Sequence, residues 1–136
     1  MSAFETIAPA LAGALAAHGY ETLTSVQMAV LAPEAADADL LVSAQTGSGK
    51  TVAFGIAIAP TLLGAETRFT EIGAPLALVI APTRELALQV KRELEWLYKD
   101  AGARLVSCVG GMDMRTERRA LADGAQIGRA SCRERV

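Results

Sequence analysis

Asp39-Leu40-Leu41-Val42-Ser43-Ala44-Gln45-Thr46-Gly47-Ser48-Gly49-Lys50-Thr51 passes from a short apolar stretch into a glycine loop, after which residues 50–63 resume helical spacing. Strand, loop and helix are predicted in that order. Residues 44–51 match the pattern GxxxxGK[ST], except that Ala44 replaces the first glycine. Each part of the pattern answers a physical need. Gly47 and Gly49 let the backbone of Ala44, Gln45, Thr46 and Ser48 curl with its N–H groups pointing inward, and the following helix adds its positive end. This makes an anion cradle suited to phosphate. Lys50 can reach the outer phosphates of a nucleotide as a point charge, and the Thr51 hydroxyl can ligate a Mg2+ shared with them. An ordinary glycine turn before a helix would require neither group.

Working outward, the same alternation repeats. Leu76–Ala81 is a second apolar run, ended by Pro82, and Thr83 can cap a helix that lines up Leu86, Val90, Leu94 and Leu97. Arg104–Val109 is a third strand candidate, and Asp113 can cap a helix running to about Ala122. The run Leu76–Ala81 lacks polar alternation, as expected of a strand covered on both faces of a parallel sheet. Upstream, residues 6–17 place Ile7, Leu11 and Leu15 on one helical face, with an end near Gly19. Thr24 and Gln27 have the spacing of a capping box opening a second helix through about Ala36, kinked or ended at Pro33. The expected architecture is α/β, a parallel sheet with flanking helices.

Composition limits what this fold can do. Thirteen Lys and Arg stand against fifteen Asp and Glu, and the net charge of -2 excludes a polybasic mode of nucleic-acid binding, so any such contact must be local. No apolar stretch approaches the ~18 residues of a membrane span, and no secretory signal follows Met1. Cys108 and Cys132 lie far apart without a CxxC pattern or a histidine partner, which argues against a zinc site or disulfide framework and for a cytoplasmic setting. A monomer is the default expectation.

A phosphate loop alone leaves ATPases, GTPases and small-molecule kinases open. Three further segments choose among them. Phe4, Gly19-Tyr20 and Leu23-Thr24-Ser25-Val26-Gln27 resemble the Q motif of DEAD-box RNA helicases, which also precedes the phosphate loop. Pro82-Thr83-Arg84-Glu85-Leu86-Ala87 resembles motif Ia of that family, and Gly110-Gly111 resembles its GG motif. The resemblance covers residues 4 to about 126 with all four motifs in order; Leu23 stands where the family usually has Pro, and Val26 where it usually has Ile. It implies a P-loop, RecA-like domain, with a Q-motif helical region over 1–36 and a partial ATP-binding domain over 37–126. It further implies ATP and Mg2+ as ligands, hydrolysis that depends on Lys50 and Thr51, and sequence-independent contacts to RNA phosphates from Pro82, Thr83, Arg84, Gly110 and Gly111. The alternative is a nucleotide or shikimate-type kinase, but the chain offers no candidate for the early Asp-Arg constellation expected of one.

Individual residues keep two readings. Gln27 can be the reciprocal half of its capping box, or its amide can read the adenine edge as the resemblance implies; the two are compatible. Tyr20 and Phe4 can stack near adenine or belong to the core. Arg84 can be a solvated charge, yet the first turn of a helix disfavours a cation, which points to an external anion. His18 reads as the solvated end of the first helix, and Lys91-Arg92 and Arg118-Arg119 as solvated helix faces.

The last ten residues, Ile127 to Val136, correspond codon by codon to a reading frame of a common short-read sequencing adapter, ATC GGA AGA GCG TCG TGT AGG GAA AGA GTG. Three arginines and a glutamate also suit a strand interior poorly. The segment 127–136 is therefore expected to be a non-native tail, set aside in reading the fold. With the DEAD and SAT motifs and a second RecA-like domain missing from the 136 residues, the fragment is expected to be catalytically inactive by itself.

Overall fold

In the computed structural model, residues 3–70, 73–109 and 114–131 are described. Helices α1 (Pro9–Ala17), α2 (Ser25–Val30) and α3 (Lys50–Leu63) come first. Strand β1 (Ala77–Ala81), helix α4 (Arg84–Leu97), strand β2 (Leu105–Cys108), helix α5 (Met114–Ala122) and strand β3 (Ile127–Ser131) follow. The strands form one parallel sheet in the order β1-β3-β2. Its register pairs Ala77 and Leu105 with Ile127, so β1 and β2 end at the same edge.

Local chemistry sets the helix boundaries. The helix predicted over 6–17 starts only at Pro9, where a fixed φ and a missing N–H suit the first turn, and a 3-10 turn over Ala3–Thr6 precedes it. Thr24 caps α2 as expected, and Pro33 opens a separate 3-10 turn rather than continuing the helix to Ala36. Thr83 caps α4 by accepting the Leu86 N–H at 3.2 Å. The proposed Asp113 cap lies outside the described residues.

The core gathers the apolar stripes of α1 to α4: Leu11, Leu15, Ile56, Leu94, Leu97 and Tyr98 are fully buried, with Ile127 of β3 beneath them. Gly55 lets α3 approach α4, because a Cβ there would lie 2.6 Å from Leu97 Cδ2. At this contact the Tyr98 hydroxyl donates to the Gly55 carbonyl at 2.6 Å, and burial drives its pKa well above the usual phenol range.

Three expectations are corrected. Residues 39–44 form no strand: the backbone has no ladder partner among the described residues, and Leu41 is 100% exposed. Apolar composition marks a segment suited to a sheet but does not supply the hydrogen-bonding neighbour that makes a strand. Nor is β1 covered on both faces, since Leu78 and Ile80 are each 65% exposed. Finally, Ile127–Ser131 lies inside the fold, as the central strand. Pairing on both edges satisfies its backbone, Ile127 fills the core, and Gly128 fits beside Pro75, whose side chain a Cβ would meet at 3.5 Å. Arg133, Glu134 and Arg135 lie outside the described residues.

Candidate nucleotide and nucleic-acid site

The 44–51 loop has the backbone its glycines predict. Gly47 and Gly49 both sit at φ +82°, and Gly49 is the N-cap of α3. The Ser48 N–H donates to the Gln45 carbonyl at 3.2 Å, closing the turn, while Lys50 Nζ reaches back to the Ala44 carbonyl at 2.6 Å. The loop therefore folds around its own lysine, and Thr46 stands exposed at the rim. Thr51 is half-buried in the first turn of the 14-residue α3. The Ser48 hydroxyl is buried and has no hydrogen-bond partner. An orphaned donor at a helix N-terminus suits an anionic ligand.

Gln27 joins α2 to this loop. It is fully buried: its Oε1 accepts the Thr24 N–H at 3.0 Å, its own N–H donates to Thr24 Oγ1 at 3.3 Å, and its Nε2 donates to the Gly49 carbonyl at 3.3 Å. The capping box is complete, and the same amide grips the loop. One amide hydrogen and one oxygen lone pair are not used by these three bonds, on a side chain that has no exposed surface. Sequence spacing revealed the box; the bond to Gly49, 22 residues away, carries no local signal.

Tyr20 packs against α4, its ring centroid 6.0 Å from that of Trp96. His18, read from sequence as a solvated helix end, is exposed but stacks on Trp96 with centroids 3.9 Å apart and planes 2° from parallel. Trp96 Nε1 donates to Glu93 Oε2 at 3.1 Å. Burial, and secondarily the Glu93 carboxylate, raise the Tyr20 pKa. Phe4 is half-buried against the core. An open cleft of about 450 Å³ between α2 and residues 40–44 is not lined by Gly47, Gly49, Lys50 or Thr51, so the loop's own concavity is the phosphate candidate.

Pro82, Thr83 and Arg84 are exposed where β1 passes into α4. Gly110 and Gly111 lie outside the described residues, but Val109 packs with Ala81 and Ala87, which brings the end of β2 to the same place as the start of α4. Ligand-binding loops of parallel sheets gather at this carboxyl edge. Among the described residues, no group of three or more His, Cys, Asp or Glu could hold a metal, and no helix is long and apolar enough to cross a membrane.

Comparison with known proteins agrees with this geometry. The chain is 38% identical over 122 residues to DEAD-box ATP-dependent RNA helicase 53 of Oryza sativa subsp. japonica, covering 89% of this chain but 20% of the relative. Among solved structures it is similar to the RNA helicase Prp28 from Chaetomium thermophilum bound to ADP, at a TM-score of 0.74 and 36% identity, over 90% of this chain and 30% of that one. It is also similar to the DEAD-box helicase Mss116 bound to ssRNA and UDP-BeF, with a TM-score of 0.78 and 30% identity, over 93% of this chain and 26% of the other. The chain thus spans 20–30% of the length of these three proteins. The family model for the DEAD/DEAH box helicase matches residues 24–131, from the capping threonine of α2 to the end of the central strand, and the chain belongs to that family.

Proposed function

We propose that this chain is the nucleotide-binding part of an ATP-dependent RNA helicase that couples ATP binding and hydrolysis to the opening of RNA duplexes. The observation that carries the reading is the loop at the start of α3, with an orphaned Ser48 hydroxyl, Lys50 at its mouth and Gln27 gripping Gly49. The backbone amides of Gln45, Thr46 and Gly47, with the Ser48 hydroxyl, would hold the phosphates, and Lys50 would exchange the Ala44 carbonyl for the outer phosphate oxygens. Mg2+ would be held by the Thr51 hydroxyl together with the phosphates. Bound there, the metal supplies Lewis-acid polarisation of the phosphates. Tyr20 would lie at the outer end of the adenine region through its place after α1. Pro82, Thr83 and Arg84, with Gly110 and Gly111, would contact RNA phosphates without reading sequence. The ADP-bound and ssRNA-bound relatives support both ligands. The kinase alternative has no comparable support. A cytoplasmic monomer is the corresponding setting.

Base choice tests the assignment. The unused donor and acceptor of Gln27 match the adenine edge and mispair with guanine, leaving polar atoms unsatisfied at about 1–3 kcal/mol. ATP is therefore expected to compete for the site roughly 5- to 100-fold better than GTP. Gln27→Ala should remove that preference. Equal competition by the two nucleotides, or an undiminished preference in the variant, contradicts the assignment.

We further propose the division 1–36, 37–126 and 127–136, with the last segment of non-native origin. Its codon match supports this, and the strand over Ile127–Ser131 is the conformation such residues take when backbone partners stand on both sides. Amplifying the locus from genomic DNA across codon 126 should yield a different continuation, running into a TPGR-like segment. A genomic read of Gly128-Arg129-Ala130-Ser131-Cys132-Arg133-Glu134-Arg135-Val136 overturns it.

A further inference from the structure

We infer that Trp96 and His18 are positioning residues for the nucleotide base: they bracket the Tyr20 ring, so that a purine meets an aromatic surface already held in place. The inference rests on the placement of Tyr20 in the adenine region proposed above. It goes beyond that reading, because neither Trp96 nor His18 belongs to the motifs from which the placement comes. The backbone of Tyr20 is fixed first, by the end of α1. Gly19 adopts φ +88°, its N–H donates to the Ala16 carbonyl at 3.1 Å, and the Tyr20 N–H donates to the Leu15 carbonyl at 3.0 Å. This pair of bonds is the left-handed stop of a helix, and it sets the position of the residue after the glycine. Downstream, Leu23 is buried and Thr24 caps α2, so the chain is anchored on both sides of Tyr20. Only the two side-chain torsions of the tyrosine are left open.

Helix α4 supplies the restraint on those torsions. The Trp96 indole is tied by its Nε1–H to Glu93 Oε2 at 3.1 Å, and the His18 ring lies flat on it at 3.9 Å. The Tyr20 centroid stands 6.0 Å from Trp96 and 6.3 Å from His18, with interplanar angles of 29° and 31°. Aromatic rings attract one another over this range. Burial alone does not account for the cluster: His18 is exposed and Trp96 and Tyr20 are half-buried, whereas Tyr98, two residues after Trp96, is fully inside the core. An aromatic ring that is held yet partly open is what a planar ligand requires. A free tyrosine gives up rotamer freedom when a base stacks on it, and fixing the ring in advance removes that penalty. Releasing one such side chain is expected to lower affinity roughly three- to tenfold.

The test titrates Mg-ATP and, separately, inorganic tripolyphosphate into the 136-residue chain and its variants by calorimetry. His18→Ala and Trp96→Leu should each weaken ATP roughly three- to tenfold and leave tripolyphosphate within about twofold, because the bracket acts on the base and not on the phosphate loop. Trp96→Phe keeps a ring against Tyr20 and should recover most of the ATP affinity. In a Tyr20→Ala background, Trp96→Leu should add less than about a twofold loss, as expected of a residue that acts through Tyr20. Trp96 is the one tryptophan of the chain, so its emission should shift on adding ATP and stay constant on adding tripolyphosphate. His18 is exposed, so His18→Ala decides the matter even where Trp96→Leu fails to fold. Unchanged ATP affinity in His18→Ala, or equal losses of ATP and tripolyphosphate, alongside a loss of ATP in Tyr20→Ala, overturns the bracket and leaves the reading of Tyr20 standing. Absence of ATP binding by the unaltered chain, or an ATP affinity unaffected by Tyr20→Ala, overturns that reading and the bracket with it.

Discussion

Lys50→Ala is expected to weaken Mg-ATP binding by roughly 10- to 150-fold while leaving the thermal melt within about 0.5 kcal/mol of the unaltered chain. The separation of the two effects follows from where the lysine sits. Its ammonium is exposed and, among the described residues, bonds the Ala44 carbonyl alone, so its loss returns that oxygen to water and removes no core packing. Alanine is also well tolerated as the first residue of a helix. In the nucleotide complex the ammonium has a different partner, and a hydrogen bond to a charged group is worth about 1.5–3 kcal/mol, which sets the range of the affinity loss. Lys50→Arg should recover part of this, since the charge is kept but a planar fork replaces a compact point donor. Titrating a fluorescent ATP analogue against each variant reads the affinity directly. An affinity within twofold of the unaltered chain would remove Lys50 from the phosphate site.

Much of this site's local structure is legible in the sequence, because its chemistry is local. The pattern of residues 44–51 fixes which residues curl the loop and which side chain leads out of it, and the Thr24/Gln27 spacing announces a capping box realised with both hydrogen bonds. Helix α3 begins at Lys50 and ends at Leu63, as the pattern required. What the sequence withheld is long-range. Nothing near Gln27 signals that its amide reaches Gly49, and nothing near His18 signals that its ring lies flat on Trp96. Strand pairing fails for the same reason: residues 39–44 read as a strand yet find no ladder partner among the described residues. Ile127–Ser131, with an arginine in its middle, pairs with both β1 and β2. Hydrogen-bonding neighbours decide strand formation there, and they lie tens of residues away in sequence.

Gly49→Ala is expected to destabilise the chain by about 2–4 kcal/mol, against about 1–2 kcal/mol for Gly47→Ala. Both glycines occupy the left-handed region at φ +82°, so both pay the backbone cost of a Cβ there. They differ in surroundings. A Cβ on Gly47 meets nothing within 4 Å, whereas a Cβ on Gly49 would land on Gln27 Nε2 and lie 3.5 Å from Thr24 Oγ1. A flexible amide could ordinarily swing away at little cost. This one is fully buried and held by Thr24 at one end and by the Gly49 carbonyl at the other, so moving it breaks the reciprocal cap of α2 and leaves buried polar atoms unpaired. That loss, about 1–3 kcal/mol, is the difference between the two variants. It also makes Gly49 and Gln27 energetically coupled: Gln27→Ala clears the space, so Gln27→Ala/Gly49→Ala should be more stable than the sum of the single effects by about 1 kcal/mol. ATP affinity should fall in Gly49→Ala as well, because the displaced loop no longer aims its N–H groups at one point. Thermal melts of the four variants measure the first claim and nucleotide titration the second. Equal destabilisation by Gly47→Ala and Gly49→Ala, with no coupling to Gln27, would show that the amide does not brace the loop and that α2 contributes nothing to its shape.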